Sequence, residues 1–143
     1  MSYTVTMLPF SKIIILYLLT IPVFFAIDMT WLVFIARGFY KQQMGNLLRA
    51  DVIWWAAILF YLLFIGGILY FAVLPSYAAG DWTRALILGA LFGFFTYMTY
   101  DLTNYSTTRD WPLLLALVDT MWGTVLSASV AVASFFIADK LFS

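Results

Sequence analysis

The fold this sequence predicts is all-α: an integral membrane four-helix bundle with a short interfacial helix between spans one and two. Three observations predict it. Four apolar windows are each long enough to cross a bilayer, 65% of the 143 residues are hydrophobic, and only 10% are charged. A soluble domain solvates its surface with about 25% charged residues. A mean hydropathy of +1.00 fits a chain whose outer solvent is lipid. The whole chain, 1–143, reads as a single transmembrane domain of a multi-pass membrane protein.

A spanning helix needs about 20 apolar residues at ~1.5 Å each. The windows run over 13–36, 52–74, 85–106 and 111–138. Unpaired backbone amides are not tolerated in hydrocarbon, so each window is a helix. The first is read as a span rather than a cleaved leader: it is too long for a leader's apolar core. Bulky Phe24 also stands two residues before Ala26, where cleavage favours a small side chain. Gly38 is expected to end span one. Pro75, Gly80 and Asp81 mark the turn between spans two and three. Arg109, Asp110 and Pro112 mark a tight connection, with the proline in the first turn of span four. Between Phe39 and Ala50, apolar Tyr40, Met44, Leu47 and Leu48 recur at helical spacing among Lys41, Gln42, Asn46 and Arg49. That pattern predicts a helix lying in the interface.

Lys12, Arg84 and Lys140 fall on one side of such a bundle, and Arg37, Lys41, Arg49 and Arg109 on the other. Three against four is too even for the positive-inside rule to orient the chain. The formal net charge is zero, which leaves no basic face for nucleic acid. Cysteine and histidine are both absent, which removes disulfides, thiolates, histidine metal sites and histidine triads. No cofactor and no metal site is expected. All acid chemistry must come from seven aspartates, since glutamate is absent too.

The aspartates are the residues in the wrong solvent. Asp28 lies roughly 13 Å inside the face where span one exits, and Asp119 roughly 12 Å inside the same face on span four, at ~1.5 Å per residue. Asp101 and Asn104 end span three toward that face, and Tyr61 of span two reaches a similar level. An ionised carboxylate in hydrocarbon costs about 2.5–3.5 kcal/mol on insertion scales, so such groups face a bundle interior and find partners. No lysine or arginine shares this depth. A proton shared between Asp28 and Asp119 is one way to relieve their charge. Each acid carries a tryptophan one turn on: Asp28-Met29-Thr30-Trp31 and Asp119-Thr120-Met121-Trp122. The repeat falls on antiparallel spans, the pattern that an inverted pair of halves would leave.

Small residues set the packing. Gly89 and Gly93 on span three, Gly123, Ser127 and Ala131 on span four, and Gly66 and Gly67 on span two allow close helix contact. Trp54, Trp55, Trp82 and Trp111 fall at expected interfaces, where indoles commonly anchor.

These residues resemble a known family. The resemblance is carried by Asp28 to Leu32, Gly38 to Tyr40, Tyr61, Phe71 to Pro75, Gly89 to Gly93, Tyr97 to Asn104, Trp111-Pro112 and Asp119 to Thr124. In this order they are similar to the small bacterial four-span membrane proteins catalogued as domain of unknown function 2177. The run Tyr100-Asp101-Leu102-Thr103-Asn104 is the most specific part. Ser106 stands where the family often has alanine. The resemblance implies a bacterial inner-membrane protein of four spans and supplies no reaction or ligand.

The candidate ligand- or proton-binding residues are therefore Asp28, Trp31, Tyr61, Tyr97, Tyr100, Asp101, Asn104, Asp119 and Trp122. The first reading is binding or translocation of a small amphiphilic solute or of protons, through carboxylates flanked by aromatic faces. The second is a non-catalytic accessory or assembly subunit of a membrane complex. The third is a lipid-modifying enzyme using two aspartates as acid and base. No nucleophile motif supports the third, and no catalytic residue is assigned. Expected partners are membrane lipid, an amphiphilic ligand, and either a second copy of the chain or a membrane complex. Against all of these stands a purely structural reading, in which the polar residues only lock four helices together.

Overall fold

A computed structural model describes residues 7–143. Four helices are long and apolar enough to cross a membrane: Phe10–Ile35, Trp54–Ala79, Trp82–Thr107 and Leu113–Phe142. The bundle is all-α, as composition and apolar run length require.

The first span is α1 (Phe10–Met29), continued by a π-helical stretch over Thr30–Ile35. There the Ala36 amide bonds the Trp31 carbonyl at 2.7 Å, five residues back. One extra residue per turn shifts the helical phase of everything that follows, and such π-turns cluster at functional sites. Gly38 does not end the span. It lies inside α2 (Arg37–Met44), and the span closes at Ala36, which leaves the α region with ψ near 1°. The interfacial helix is shorter than the sequence pattern suggests. Gly45, at φ 46°, terminates α2, a 3₁₀ turn covers Gly45–Leu47, and no regular helix follows until Trp54.

The second span is α3 (Trp54–Ile68), a π-turn (Leu69–Val73) and α4 (Leu74–Ala79). Pro75 does not break it. A proline removes one amide donor and crowds the carbonyl four residues back. Here it sits in the first turn of α4, immediately after the widened π-turn, where the ladder is already re-registered. The stop comes at Gly80, left-handed at φ 64°, with the Asp81 amide reaching back to the Ser76 carbonyl at 3.1 Å. That is a glycine C-cap of the Schellman type.

Asp81 then caps α5 (Trp82–Thr107), accepting from the Thr83 amide at 2.9 Å, the Arg84 amide at 3.3 Å and the Thr83 hydroxyl at 2.6 Å. The Thr83 hydroxyl and the two amides hold its carboxyl below the usual range. α6 (Leu113–Phe142) follows a tight connection in which Asp110 takes φ 63° and Pro112 is the N-cap.

α6 is the centre of the bundle. Half of its apolar window is buried, against 17% for span one. α5 lies against it along a ridge of small residues. A Cβ on Gly89 would stand 2.7 Å from both the Ala131 Cβ and the Ser127 carbonyl oxygen. A Cβ on Gly93 would collide with the Gly123 carbonyl, and one on Gly123 with the Tyr97 ring. Toward the second loop the interior is aliphatic, with Leu16, Ile65, Ile68, Val73, Val130 and Ala131 fully buried. Thr20 and Ser134 share a hydrogen bond of 2.9 Å there, and Ser76 donates to the Ala72 carbonyl at 2.6 Å, while the buried Ser127 hydroxyl beside the glycine ridge has no partner.

Candidate functional site

At the opposite end, toward the first and third loops, the same helices enclose a cavity of ≈ 450 Å³. α3 contributes Ala57, Phe60, Tyr61 and Phe64. Their spacing of three, four and seven residues is that of a single helix face. α5 contributes Thr96, Tyr97 and Tyr100, and α6 contributes Asp119 and Trp122. Span one adds Asp28 and Leu32, and α2 adds Tyr40. No lysine or arginine lines this space among the described residues.

Two carboxylates bound the cavity, and each is held from the other half of the repeat. Asp28, only 3% exposed, accepts from the Trp122 indole N–H at 3.1 Å. Asp119 accepts from the Tyr40 hydroxyl at 2.5 Å, and that hydroxyl in turn accepts from the Trp31 indole N–H at 3.2 Å. The two indoles stack with centroids 4.5 Å apart and planes 9° from parallel. Each Asp-x-x-Trp element therefore supplies the donor that restrains the other's acid, directly for Asp28 and through Tyr40 for Asp119. Burial, and next the Asp119 carboxylate, push the Tyr40 phenol above its ordinary value, so it remains a donor throughout the neutral range.

Asp101 is fully buried one layer behind the cavity wall. It adjoins Asp119 and the Trp111 indole, yet neither of its oxygens nor the Trp111 N–H makes a hydrogen bond. Buried polar atoms without partners are rare enough to need an explanation. Trp111 is accordingly more than an interfacial anchor, because its N–H is buried on the Asp101 side. Its ring also meets Tyr100 edge-on at 5.6 Å.

Of the sequence-selected residues, Asp28, Tyr61, Tyr97, Tyr100, Asp119 and Trp122 line the cavity. Trp31 backs it by stacking on Trp122, and Asp101 lies behind it beside Asp119. Asn104 does not line it: it is half-buried one helical turn beyond Tyr100. Sequence reasoning passed over Tyr40, Phe60 and Phe64. The face made by Ala57, Phe60, Tyr61 and Phe64 was a readable signal for two of them. Tyr40, although part of the family-like Gly38 to Tyr40 stretch, gave no sign of a place in the cavity, because its approach to Asp119 depends on the π-turn and on how α2 folds back over α6.

The geometry can hold positive charge. Carboxylates restrained by aromatic donors, with π faces around them and no lysine or arginine among the described residues beside them, are groups that attract an ammonium-like cation or a proton. No curated protein and no solved structure matches the chain. The family model described as "Predicted membrane protein (DUF2177)" matches residues 13–136, nearly the whole chain and every span. The protein belongs to this family of multi-pass membrane proteins.

Proposed function

We propose that the cavity binds a small amphiphilic cation in exchange for protons, making the protein a membrane binding or carrier component. One observation carries this reading: two carboxylates, Asp28 and Asp119, face one aromatic-walled space of ≈ 450 Å³ that no lysine or arginine among the described residues enters. The volume lies within the range of small-molecule sites, about 300–1,000 Å³. Aromatic faces add cation–π attraction of about 2 kcal/mol or more where water is excluded. Protons and an arriving cation compete for the same pair of carboxylates, so that binding of one displaces the other.

Benzyltrimethylammonium is a suitable probe, since it has no N–H and binds only through charge and π faces. Its binding to the purified full-length protein in lipid nanodiscs is read by tryptophan fluorescence, with proton release measured in weak buffer. Affinity should rise with pH, by up to about tenfold per unit for each proton released. Asp28→Asn and Asp119→Asn should each weaken binding by at least about thirtyfold, or 2 kcal/mol, the scale for removing one member of a desolvated charge pair. Equal affinity in the wild type and both variants would sink the proposal.

A further inference from the structure

The geometry points to a lateral portal: the site draws its ligand from the bilayer, and that ligand is a long-chain amphiphile with a cationic amine or quaternary ammonium head. This rests on the cation-binding reading above and adds the route and the tail. Three features carry it. First, spans two and three part company around the cavity. Near the bundle centre they touch, with Phe64 5.2 Å from Phe92 and 5.8 Å from Tyr97, ring to ring. Further toward the second loop, α5 packs closely on the π-turn over Leu69–Val73. Toward the first loop, α3 no longer packs closely on α5. There Phe60 and Tyr100 both line the cavity and stay 49% and 54% exposed. A side chain that does both stands on the rim of an opening, and at this depth the opening faces lipid.

Second, the end toward the first loop carries a hydrogen-bonded side chain. Tyr40 projects from α2 into the cavity wall, held to Asp119 and to the Trp31 indole. A ligand entering past Tyr40 would break both hydrogen bonds, whereas one arriving between α3 and α5 disturbs neither. Third, the volume is selective. A space of ≈ 450 Å³ takes a methylated ammonium head and a few carbons, while a long chain must leave through a wall. The open wall leads into hydrocarbon, where each buried CH₂ contributes about 0.8 kcal/mol.

The test uses the wild-type chain in nanodiscs. The probe is a long-chain alkyltrimethylammonium with a nitroxide at the end of its tail, followed by electron paramagnetic resonance. The expected result is an immobilised component that benzyltrimethylammonium competes away and that Asp28→Asn weakens at least about tenfold. Its nitroxide should relax with lipid-dissolved oxygen and be shielded from a water-soluble nickel complex. A bound nitroxide reached by nickel, or shielded from both relaxants, would overturn the portal. So would the absence of an immobilised component while benzyltrimethylammonium still binds, and that outcome would leave the cation site standing. Failure of benzyltrimethylammonium itself to bind would remove the site and the portal together.

Discussion

Two concavities of nearly equal size sit at opposite ends of this bundle, ≈ 450 Å³ toward the first and third loops and ≈ 420 Å³ toward the second. The second is bounded by residues such as Met7, Leu8, Ile13, Leu74 and Pro75, with Tyr70 and Tyr77 as its polar side chains. The first contains two carboxylates, four tyrosines and a tryptophan. Size therefore distinguishes nothing. In hydrocarbon an apolar groove is simply filled by a lipid chain, while a carboxylate must be paired, protonated or occupied. The end with a chemical problem to solve is the end with a candidate function.

The same contrast runs through the packing. The second-loop half is held by small residues and aliphatic interlock, and the cavity half by aromatic contacts and a few charge-assisted hydrogen bonds. The former should resist substitution sterically, and the latter chemically. Gly89→Ala probes the first. Its new Cβ meets the Ser127 backbone carbonyl, which cannot rotate away, so a loss of about 2–3 kcal/mol is expected, read as earlier unfolding in a detergent titration. A Gly89→Ala chain as stable as wild type would show a looser α5–α6 ridge.

Trp122→Phe probes the second. It keeps an aromatic face toward Trp31 and removes the N–H that Asp28 accepts. The expected stability loss is smaller, about 1–2 kcal/mol, with benzyltrimethylammonium affinity falling about fivefold. The sharper criterion is the split: Gly89→Ala should lower stability far more than it alters the pH dependence of binding, and Trp122→Phe should alter that dependence. Parallel effects in both variants would erase the distinction between the two halves.

Smaller still is the Thr20–Ser134 pair in the dry half. A double-mutant cycle with Thr20→Val and Ser134→Ala should give a coupling of about 0.6 kcal/mol, the average for membrane hydrogen bonds. A coupling of several kcal/mol would mean that the dry half also relies on polar links. The least effect is expected from Asp81→Ala outside the membrane. Because the folded carboxyl is held below its ordinary value, its contribution is present above the unfolded pKa of about 3.9 and is lost as pH falls through the folded value. The variant should melt slightly earlier than wild type at neutral pH, and the gap should close in acid. A gap that persists at low pH would assign the effect to something other than the cap's charge.

Much of this was legible in the chain. Four helices followed from apolar run length, and the small-residue ridges of α5 and α6 from their spacing of four. Depth counting placed Asp28, Asp119 and Tyr61 at one level, with Asp101 and Asn104 toward the same face, because rise per residue is fixed in a helix. Three features were not legible. Pro75 and Gly38 read as stops, yet a π-turn absorbed the proline and α2 continued through the glycine. Asn104 shares its helix face with the site residues but lies a turn beyond the cavity. Tyr40 read as an apolar position of the interfacial helix, with no local signal that it reaches Asp119.

The sequence by itself determined that the chain crosses a membrane four times and that acids lie at one depth within it. Both depend on quantities that add along a single helix: hydropathy and rise per residue. Which indole meets which acid, that Tyr40 reaches Asp119, and that α3 and α5 separate around the cavity were decided by tertiary structure alone. Those depend on the rotation of one helix against another, and a π-turn of one extra residue changes that rotation while leaving the apolar pattern unaltered.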